Sequence, residues 1–231
     1  MYKIEPNQRT FTAYATEDAK NHLNGLLTST HDVASYREHM TALGKNLAYS
    51  VIPCLHTTDK ILIVSTAEDA DFLQQGLKLE LQQNHFESRL AVFWNHHYQL
   101  SNQSSVAPIM HRFLETGYET SNTILIVKSI ISGSCVIRTN LIDILDKIKT
   151  IENIFILAPV IHKDAENALK KAFPQDVADK FKFFYLAQDD IRTESGEVIP
   201  GIGGQIYRLL GLTNQPVLTS YIPQIVTHLA F

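Results

Sequence analysis

Residues 187–212, AQDDIRTESGEVIPGIGGQIYRLLGL, contain five of the ten glycines of the chain. Glycine permits tight turns and lets the main chain approach a small ligand closely. The apolar pair Val198 and Ile199 would form a wall beside such a turn, and the helix-like segment that follows would present free N–H groups. The pattern predicts either a pocket for a small, flat ligand or an ordinary turn between a strand and a terminal helix. The glycines and the central proline are Gly196, Pro200, Gly201, Gly203, Gly204 and Gly211.

A second segment has the residue order of a phosphate-binding loop. An apolar run at residues 124–127 is followed by small residues and then by a helical pattern through Leu141 and Ile144. Backbone N–H groups at the start of a helix attract phosphate, and small side chains let it approach. The thiol of a cysteine at a helix start could be acidified, although a space-filling role is commoner. The residues expected to hold a phosphate are Ser132, Gly133, Ser134 and Cys135.

Charged residues follow two of the apolar runs. Glu68, Asp69 and Asp71 come after the run at residues 61–64, and Lys128 comes before the phosphate-like loop. The carboxylates would bind magnesium or a cationic ligand, or would lie in the first turn of a helix, where negative charge is favourable. Lys128 would bind a phosphate directly or face solvent.

A histidine pair lies in a polar segment between two apolar runs. His96 and His97 are flanked by Trp94 and Tyr98, an arrangement that could serve a metal or a stacked ring. Adjacent side chains on an extended loop point apart, and no cysteine or carboxylate lies at ligand spacing. We therefore expect residues 95–105 to form a solvated, mobile loop, and we expect no protein-bound metal there.

Strand-like and helix-like segments alternate along most of the chain. The strand-like segments are continuous apolar runs, which are typical of strands buried on both faces. Helical spacing of apolar residues is clearest over residues 35–51, 72–81 and 164–173. This order predicts an α/β fold with a parallel sheet flanked by helices. The strand-like runs lie at residues 61–64, 90–94, 124–127, 154–157 and 183–186.

Composition narrows the class of protein and its partners. The 231 residues are 45% hydrophobic and 19% charged, which suits one well-packed domain without disulfides or metals. The formal net charge of -4 comes from interspersed signs, so we expect no nucleic-acid partner. Neither a membrane-spanning run nor a signal-peptide pattern is visible, so we expect no membrane partner. Cys54 and Cys135 lie outside any paired spacing, which favours a reducing, cytoplasmic location.

The order of motifs along residues 22–212 matches a known family. The match is most specific at residues 187–203, where an acidic pair precedes the glycine-rich loop, and it extends to Arg208 before the final glycine. The other matching residues are His22, Leu23, Leu26, Leu27, Tyr36, Arg37, Glu38, Leu47, Ala48, Tyr49 and the segment IFILAPVIHKDAENALKKAFP at 154–174. On these residues the chain resembles the uracil phosphoribosyltransferases.

This resemblance implies a phosphoribosyltransferase-type parallel sheet flanked by helices, with a hairpin or flexible loop. The family-like domain would span residues 1–212, and residues 213–231 would form a C-terminal extension, either as an added strand or as a partner-facing arm. Because the family associates through its N-terminal helices and hairpin, the resemblance also implies a homodimer.

The resemblance further implies an activity of pyrimidine salvage, in which uracil and phosphoribosyl pyrophosphate give UMP and pyrophosphate. Magnesium would be required if the protein is active, and otherwise no cofactor. The small-molecule partner would be a nucleobase or a nucleotide. Residues 132–135 would hold the 5′-phosphate, and the main chain of the base loop would hold uracil. The base-binding residues implied are Ile199, Gly201, Ile202 and Gly203.

The donor site departs from the family pattern at four places. Glu68, Asp69 and Asp71 stand where the family has an arginine-containing pyrophosphate loop, and a second arginine falls near Asn95. Lys128 and Ser129 replace the acidic residue that takes the ribose hydroxyls. Gly204 occupies the family aspartate position, which leaves the catalytic residue unassigned.

Two functions therefore stay open. The first is an altered uracil phosphoribosyltransferase, and the second is an inactive relative that binds a nucleotide or nucleobase as a sensor, regulatory or assembly subunit. A weaker third is hydrolase or transferase chemistry at another glycosidic bond, for which no catalytic acid is assigned; the acidic pair Asp189 and Asp190 near the base loop would then simply order that loop.

Overall fold

A central sheet organises the protein, whose computed structural model describes residues 9–100 and 105–230. These residues form twelve strands, eight of them in the central sheet. The strands are β1 (Arg9–Phe11), β2 (Ile61–Thr66), β3 (Ser88–Asn95), β4 (Tyr98–Gln99), β5 (Ser105–Val106), β6 (Ile109–Leu114), β7 (Thr123–Val127), β8 (Ile130–Ile131), β9 (Asn153–His162), β10 (Phe181–Asp189), β11 (Ile191–Arg192) and β12 (Val198–Ile199). The order across the sheet is β1-β10-β9-β7-β2-β3-β6, with β8 paired to β9.

Ten α-helical segments accompany these strands in the described residues. They are α1 (Glu17–Thr28), α2 (Val33–Val51), α3 (Ala67–Asp69), α4 (Gln75–Gln83), α5 (Cys135–Leu145), α6 (Ala165–Lys171), α7 (Gln175–Ala178), α8 (Ile206–Leu209), α9 (Pro216–Thr219) and α10 (Gln224–Ala230). A π-helical turn, Ala70–Gln74, joins α3 to α4, and 3-10 turns lie at Ile52–Cys54 and Tyr118–Thr120. Within the described ranges, no helix combines the length and apolar character needed to cross a membrane.

The interior of the sheet is parallel, as the apolar runs predict. β10, β9, β7, β2 and β3 pair in parallel, and helices cover both faces, so the predicted α/β architecture is confirmed. The antiparallel edge strands β1 and β6 were not predicted. β6 consists of partly or fully exposed residues, and β1 has only three residues, so neither gives a continuous apolar run.

Two cores hold the strands in place. α1, α2 and α4 bury Leu23, Leu43 and Leu77 against one face of the sheet. α5 and α6 bury Ile137 and Leu169 against the other. Burial of one such side chain contributes roughly 1.5–3 kcal/mol. The strand ends that carry the candidate site are therefore fixed from both sides.

The crossing of α2 and α4 depends on two glycines. A Cβ on Gly44 would overlap the carbonyl oxygen of Leu73, and a Cβ on Gly76 would overlap that of Thr41. Only residues without a side chain permit so close an approach of two helix backbones. The helical segment that contains Gly76 starts at Ala67, earlier than the predicted start at residue 72.

The C-terminal extension differs most from the sequence prediction. The prediction of an added strand is wrong, because the extension forms α9 and α10, which pack on the same chain. The alternative of a partner-facing arm stays a prediction. Val226 is buried with Val92 and Trp94, and the Trp94 indole Nε1 donates to the carbonyl of Tyr221 at 2.7 Å. The sequence does not reveal this docking because its contacts lie more than a hundred positions away.

Two further segments differ in secondary structure from the predictions. The polar loop at residues 95–105 contains a short antiparallel ribbon of β4 and β5, while residues 101–104 lie outside the described residues. The helix expected after Gly204 is a single turn, α8.

Candidate functional site

The segments singled out in the sequence meet at one edge of the sheet. β2, β7, β9 and β10 are parallel, so their C-terminal ends share this edge, where ligands bind in open α/β sheets. The acidic residues follow β2, residues 128–135 follow β7, and the glycine-rich loop follows β10. The fold thus brings the predicted phosphate and base loops to the same edge.

Lys128 lies buried between two carboxylates at this edge. Its Nζ donates to Asp69 Oδ2 at 2.7 Å and to Glu68 Oε1 at 3.1 Å. Thr66 Oγ1 donates to the same Asp69 oxygen at 2.9 Å. Burial alone would lower the pKa of Lys128, but the charges of Asp69 and Glu68 outweigh it and raise the pKa above its ordinary value. We call Lys128, Glu68 and Asp69 the ion triad; its ammonium group is bound to the chain's own carboxylates.

Other side chains close the space around the ion triad. Burial and the charge of Glu68 raise the pKa of Tyr207, so its phenol stays neutral. Partial desolvation and the charge of Lys128 lower the pKa of His97, which keeps this imidazole neutral as well. The cavity that Lys128 lines with Thr66 and Asn140 has a volume of about 10 Å³, at the lower limit for one water molecule. The ends of β2 and β7 are therefore filled by protein groups.

Asp71 points away from the ion triad toward the C-terminal extension. Its Oδ2 accepts from the Tyr221 hydroxyl at 2.6 Å and from the Gln224 N–H at 2.9 Å, and its Oδ1 accepts from the Ile225 N–H at 3.0 Å. Burial and this hydrogen bond raise the pKa of Tyr221. Asp71 thus holds the first turn of α10, whereas the sequence placed it with Glu68 and Asp69.

The predicted phosphate loop lies at the N-terminus of α5. Ser132 Oγ donates to the carbonyl of Gly196 at 2.6 Å. Arg192 Nη1 donates to the carbonyl of Ser132 at 2.8 Å, and this nitrogen is also the nearest atom, at 3.9 Å, to a Cβ built on Gly133. Ser134 begins the helix without a side-chain cap. The loop therefore has an open main chain with a guanidinium beside it.

Arg192 was not predicted from the sequence, and Cys135 does not favour one of its two predicted roles. Arg192 lies sixty positions from the loop that it contacts, on an exposed strand, and no local pattern marks it. The Cys135 thiol donates to the carbonyl of Ser105 at 3.2 Å. Burial raises the pKa of Cys135 against the opposing charge of Arg138, so the acidified thiol considered from the sequence is not favoured.

The base loop is held by buried side chains. Asp189 Oδ2 accepts from the Gly201 N–H at 2.8 Å, and Arg9 donates to the Gly201 carbonyl. The Tyr36 hydroxyl donates to the carbonyl of Ile202 at 2.9 Å. These main-chain groups are thus engaged within the chain, and Asp189 orders the loop. The acidic pair is divided, because Asp190 is exposed.

The remaining base-loop residues shape its two ends. Ile199 pairs with Ile191 in the ribbon of β11 and β12. The Gly203 N–H donates to the carbonyl of Pro200 at 3.2 Å, and a Cβ on Gly203 would lie 2.9 Å from Thr30 Cγ2. The loop is therefore pressed between this ribbon and the end of α1.

A carboxylate lies next to Gly204. Glu197 Oε1 is 3.8 Å from the position of a Cβ on Gly204, whose φ of +137° disfavours any side chain. Glu197 is held in the turn by the Thr193 hydroxyl, which accepts from its N–H at 3.0 Å. A residue seven positions away thus brings negative charge close to the place where the resemblance implies an aspartate.

The last residue of β3 and the histidines that follow it form contacts within the chain. Asn95 and Asn140 exchange side-chain hydrogen bonds of 2.8 and 3.0 Å in the buried interior. Both the N–H and the carbonyl of His97 bond to the Gln215 side chain at 2.8 Å. His96 packs on the ring of Tyr98 at 5.1 Å.

The residues at this edge do not fit a protein-bound magnesium ion. Glu68 and Asp69 share Lys128, and Asp71 serves α10. Among residues 9–100 and 105–230, no three histidine, cysteine or acidic side chains converge at metal-binding spacing.

Comparisons with known proteins find similarity in three-dimensional structure. No protein-family model matches the chain, and no curated protein sequence matches it. The AQ2163 protein from Aquifex aeolicus superposes with a TM-score of 0.65 at 15% identity, over 87% of this chain and 98% of that one. This likeness shows a shared fold over most of both chains.

Two other solved structures are more distant. A hypothetical protein from Neisseria gonorrhoeae with bound ppGpp has a TM-score of 0.45 at 8% identity, over 66% of this chain and 80% of that one. A hypoxanthine phosphoribosyltransferase from Staphylococcus aureus has a TM-score of 0.44 at 11% identity, over 66% and 74%. The structural neighbours thus include phosphoribosyltransferases, and the uracil-specific resemblance stays a prediction.

Proposed function

We propose that this chain is a phosphoribosyltransferase-like protein that binds a nucleobase or a nucleoside monophosphate, with uracil and UMP as first candidates, and does not turn over phosphoribosyl pyrophosphate normally. The ion triad at the ends of β2 and β7 is the observation that supports this proposal. It occupies the place where the resemblance implies the pyrophosphate of the donor.

Electrostatics oppose the donor at this place. Two carboxylates against one ammonium leave a net negative charge there. Like unit charges about 4 Å apart repel by roughly 4 kcal/mol at an effective dielectric constant of about 20. A pyrophosphate group would also have to displace Lys128 from partners at 2.7 and 3.1 Å.

A single phosphate has a better setting at residues 132–135. The N-terminus of an eleven-residue helix favours an anion by about 0.3–1 kcal/mol. The guanidinium of Arg192 lies beside the open main chain of Gly133 and would add a charge-assisted hydrogen bond. Nearby, the ordered base loop gives a preformed wall for a planar ring.

Calorimetric titration tests this proposal. We expect uracil or UMP to bind, and phosphoribosyl pyrophosphate with magnesium to bind more weakly or not at all. A pyrophosphate-release assay on the same sample should show no uracil-dependent product. The variant Arg192→Gln should weaken UMP but not uracil, because only UMP carries the phosphate. Silence for uracil and UMP would refute ligand binding at this edge and favour an assembly role.

The second candidate is an altered but active uracil phosphoribosyltransferase. The Glu197 carboxylate beside Gly204 favours it, since it supplies negative charge near the reacting end of the site. Uracil-dependent pyrophosphate release that disappears in Glu197→Gln would establish this candidate. Magnesium would then accompany the donor, whereas UMP binding should not require it.

The resemblance supports a dimeric assembly, and the unpaired cysteines support a reducing location. We propose a homodimer in the cytoplasm. Sedimentation equilibrium of the purified protein should give twice the chain mass, and a monomer at micromolar concentration would exclude the dimer.

A further inference from the structure

Arg9 makes a buried, two-pronged ion pair with Asp189. Its Nε donates to Asp189 Oδ1 at 2.8 Å and its Nη2 donates to Asp189 Oδ2 at 2.7 Å. The two side chains are 8% and 0% exposed. The same guanidinium donates to the carbonyl of Gly201, and the same carboxylate accepts from the Gly201 N–H. One ion pair therefore holds both polar groups of Gly201.

We propose that Arg9 is a positioning residue for base recognition, acting from the N-terminal strand on the main chain of the base loop. The inference rests on the proposed function, in which residues 199–203 hold the base. Arg9 would not touch the ligand. It would fix the orientation of the Gly201 peptide groups. It would thereby also fix the direction of the other main-chain groups of residues 199–203.

The geometry explains why arginine is needed. A guanidinium presents parallel N–H groups that match a carboxylate, whereas an ammonium is a point charge. The Arg9 fork binds both Asp189 oxygens and still reaches the Gly201 carbonyl. Lysine could replace the charge but not all of these bonds.

The strand β1 supports this role. It pairs with β10 from Arg9 opposite Asp189 to Phe11 opposite Ala187, and none of its residues is fully buried. Thr10 and Phe11 are exposed, whereas the Arg9 side chain is only 8% exposed, so Arg9 is the residue through which β1 reaches the interior. This edge strand therefore places the Arg9 guanidinium against a loop that lies 192 positions away in the sequence.

The test compares two ligands and four variants of the whole chain. Uracil probes the base loop, and ribose 5-phosphate probes residues 132–135. The variants are Arg9→Met, Arg9→Lys, Asp189→Asn and the control Arg112→Met, which breaks the ion pair of Arg112 with Asp143, another edge-strand pair at 2.8 Å. Hydrogen exchange at the Gly201 amide reports the loop directly.

Arg9→Met should weaken uracil about tenfold, equivalent to about 1.4 kcal/mol, and leave ribose 5-phosphate within about twofold. Arg9→Lys should restore part of the uracil affinity, and Arg112→Met should change neither ligand. Gly201 exchange should accelerate in Arg9→Met. If Arg9→Met does not fold, Arg9→Lys and Asp189→Asn provide the comparison.

Three results would overturn the inference. They are unchanged uracil affinity in Arg9→Met, equal loss of both ligands, and unchanged exchange at Gly201. Failure of the proposed function looks different, because the unaltered protein would then bind neither ligand. If the unaltered protein binds ribose 5-phosphate but not uracil, the base loop has no base to position, and the inference falls while the phosphate site stands.

Discussion

At the scale of single residues, Lys128 is the position of the candidate site where a substitution should cost the most stability. Its ammonium group compensates two carboxylates that are almost completely buried. Removing one partner from a buried ionic group leaves uncompensated charge, while removing all of the charges together is often neutral. The stability of the fold and the net charge of the candidate site therefore both depend on the Lys128 side chain.

The variant Lys128→Met should destabilise the fold by about 3–5 kcal/mol, because Glu68 and Asp69 lose their cation. The triple variant with Glu68→Gln and Asp69→Asn should recover most of this loss. Urea unfolding followed by circular dichroism measures both. A loss below about 1 kcal/mol in the single variant would show that water or a counter-ion compensates the charges of Glu68 and Asp69.

His39 gives the protein an acid-sensitive contact between α1 and α2. Its Nδ1 lies 2.9 Å from Nδ1 of His22. Burial, and then the charge of His22, lower the pKa of His39 against a smaller effect of Glu38. The unfolded chain, with a histidine pKa near 6.5, therefore binds more protons, so stability falls as the pH drops through about 6.5.

Thermal melting between pH 8 and pH 5.5 tests this effect of His39. The unaltered protein should lose melting temperature on acidification, and His39→Gln should lose less. Parallel curves for the two proteins would assign the acid sensitivity to other groups, such as His162, whose pKa burial also lowers.

At the scale of elements, α10 depends on a carboxylate from another helix. Asp71 accepts hydrogen bonds from two amides of its first turn and from the Tyr221 hydroxyl. Loss of such a cap costs about 0.5–2 kcal/mol, and a hydrogen bond to a charged group contributes about 1.5–3 kcal/mol. The helix after β2 and the extension are thus coupled.

The variant Asp71→Asn should destabilise the fold by about 2 kcal/mol, because an amide accepts at one atom only. Asp176→Asn, at an exposed position on α7, is the control and should change stability by less than about 0.5 kcal/mol. Chemical denaturation measures both. Equal effects would mean that the bonds of Asp71 are replaced by water.

The sequence predicts elements that have a strong local pattern. The parallel strands were visible because each is a continuous apolar run, and α2 because Tyr36, Met40 and Leu43 recur at helical spacing. α10 was missed because its cap, Asp71, lies about 150 positions earlier. β6 was missed because its side chains are mostly exposed.

The contacts among the candidate site residues were not predictable from the sequence, although the elements that carry these residues were. Strand order placed residues 128–135 and the glycine-rich loop at one edge. The pairing of Lys128 with Glu68 and Asp69 joins residues about sixty positions apart, and Arg9 reaches Gly201 from the other end of the chain. Sequence spacing carries no information about such contacts.

At the scale of the whole molecule, the extension is part of the folded unit. The Trp94 indole and the Asp71 carboxylate both bind residues beyond position 212, and Val226 covers Val92. A chain ending at Leu212 would lack the partners of these groups. The division at residue 212 that the resemblance implies stays a prediction, and the segments on its two sides pack against each other.

Truncation after Leu212 should lower the urea midpoint and increase the binding of a hydrophobic dye, because the surface at Trp94 and Val92 becomes exposed. Removal of a comparable length from the other end is not equivalent, since it would delete β1 and Arg9. Unchanged melting and dye binding after truncation at 212 would show that the extension contributes little to the fold.

The ion triad also restricts how this sequence can evolve. Lys128 is its constrained member, because a neutral residue at position 128 leaves two buried carboxylates without a cation, whereas a neutral residue at position 68 or 69 leaves a balanced pair. A mutational path that replaces Lys128 first must therefore pass through a destabilised intermediate, whereas a path that first neutralises a carboxylate need not. As long as both carboxylates are present, selection for folding alone suffices to retain Lys128.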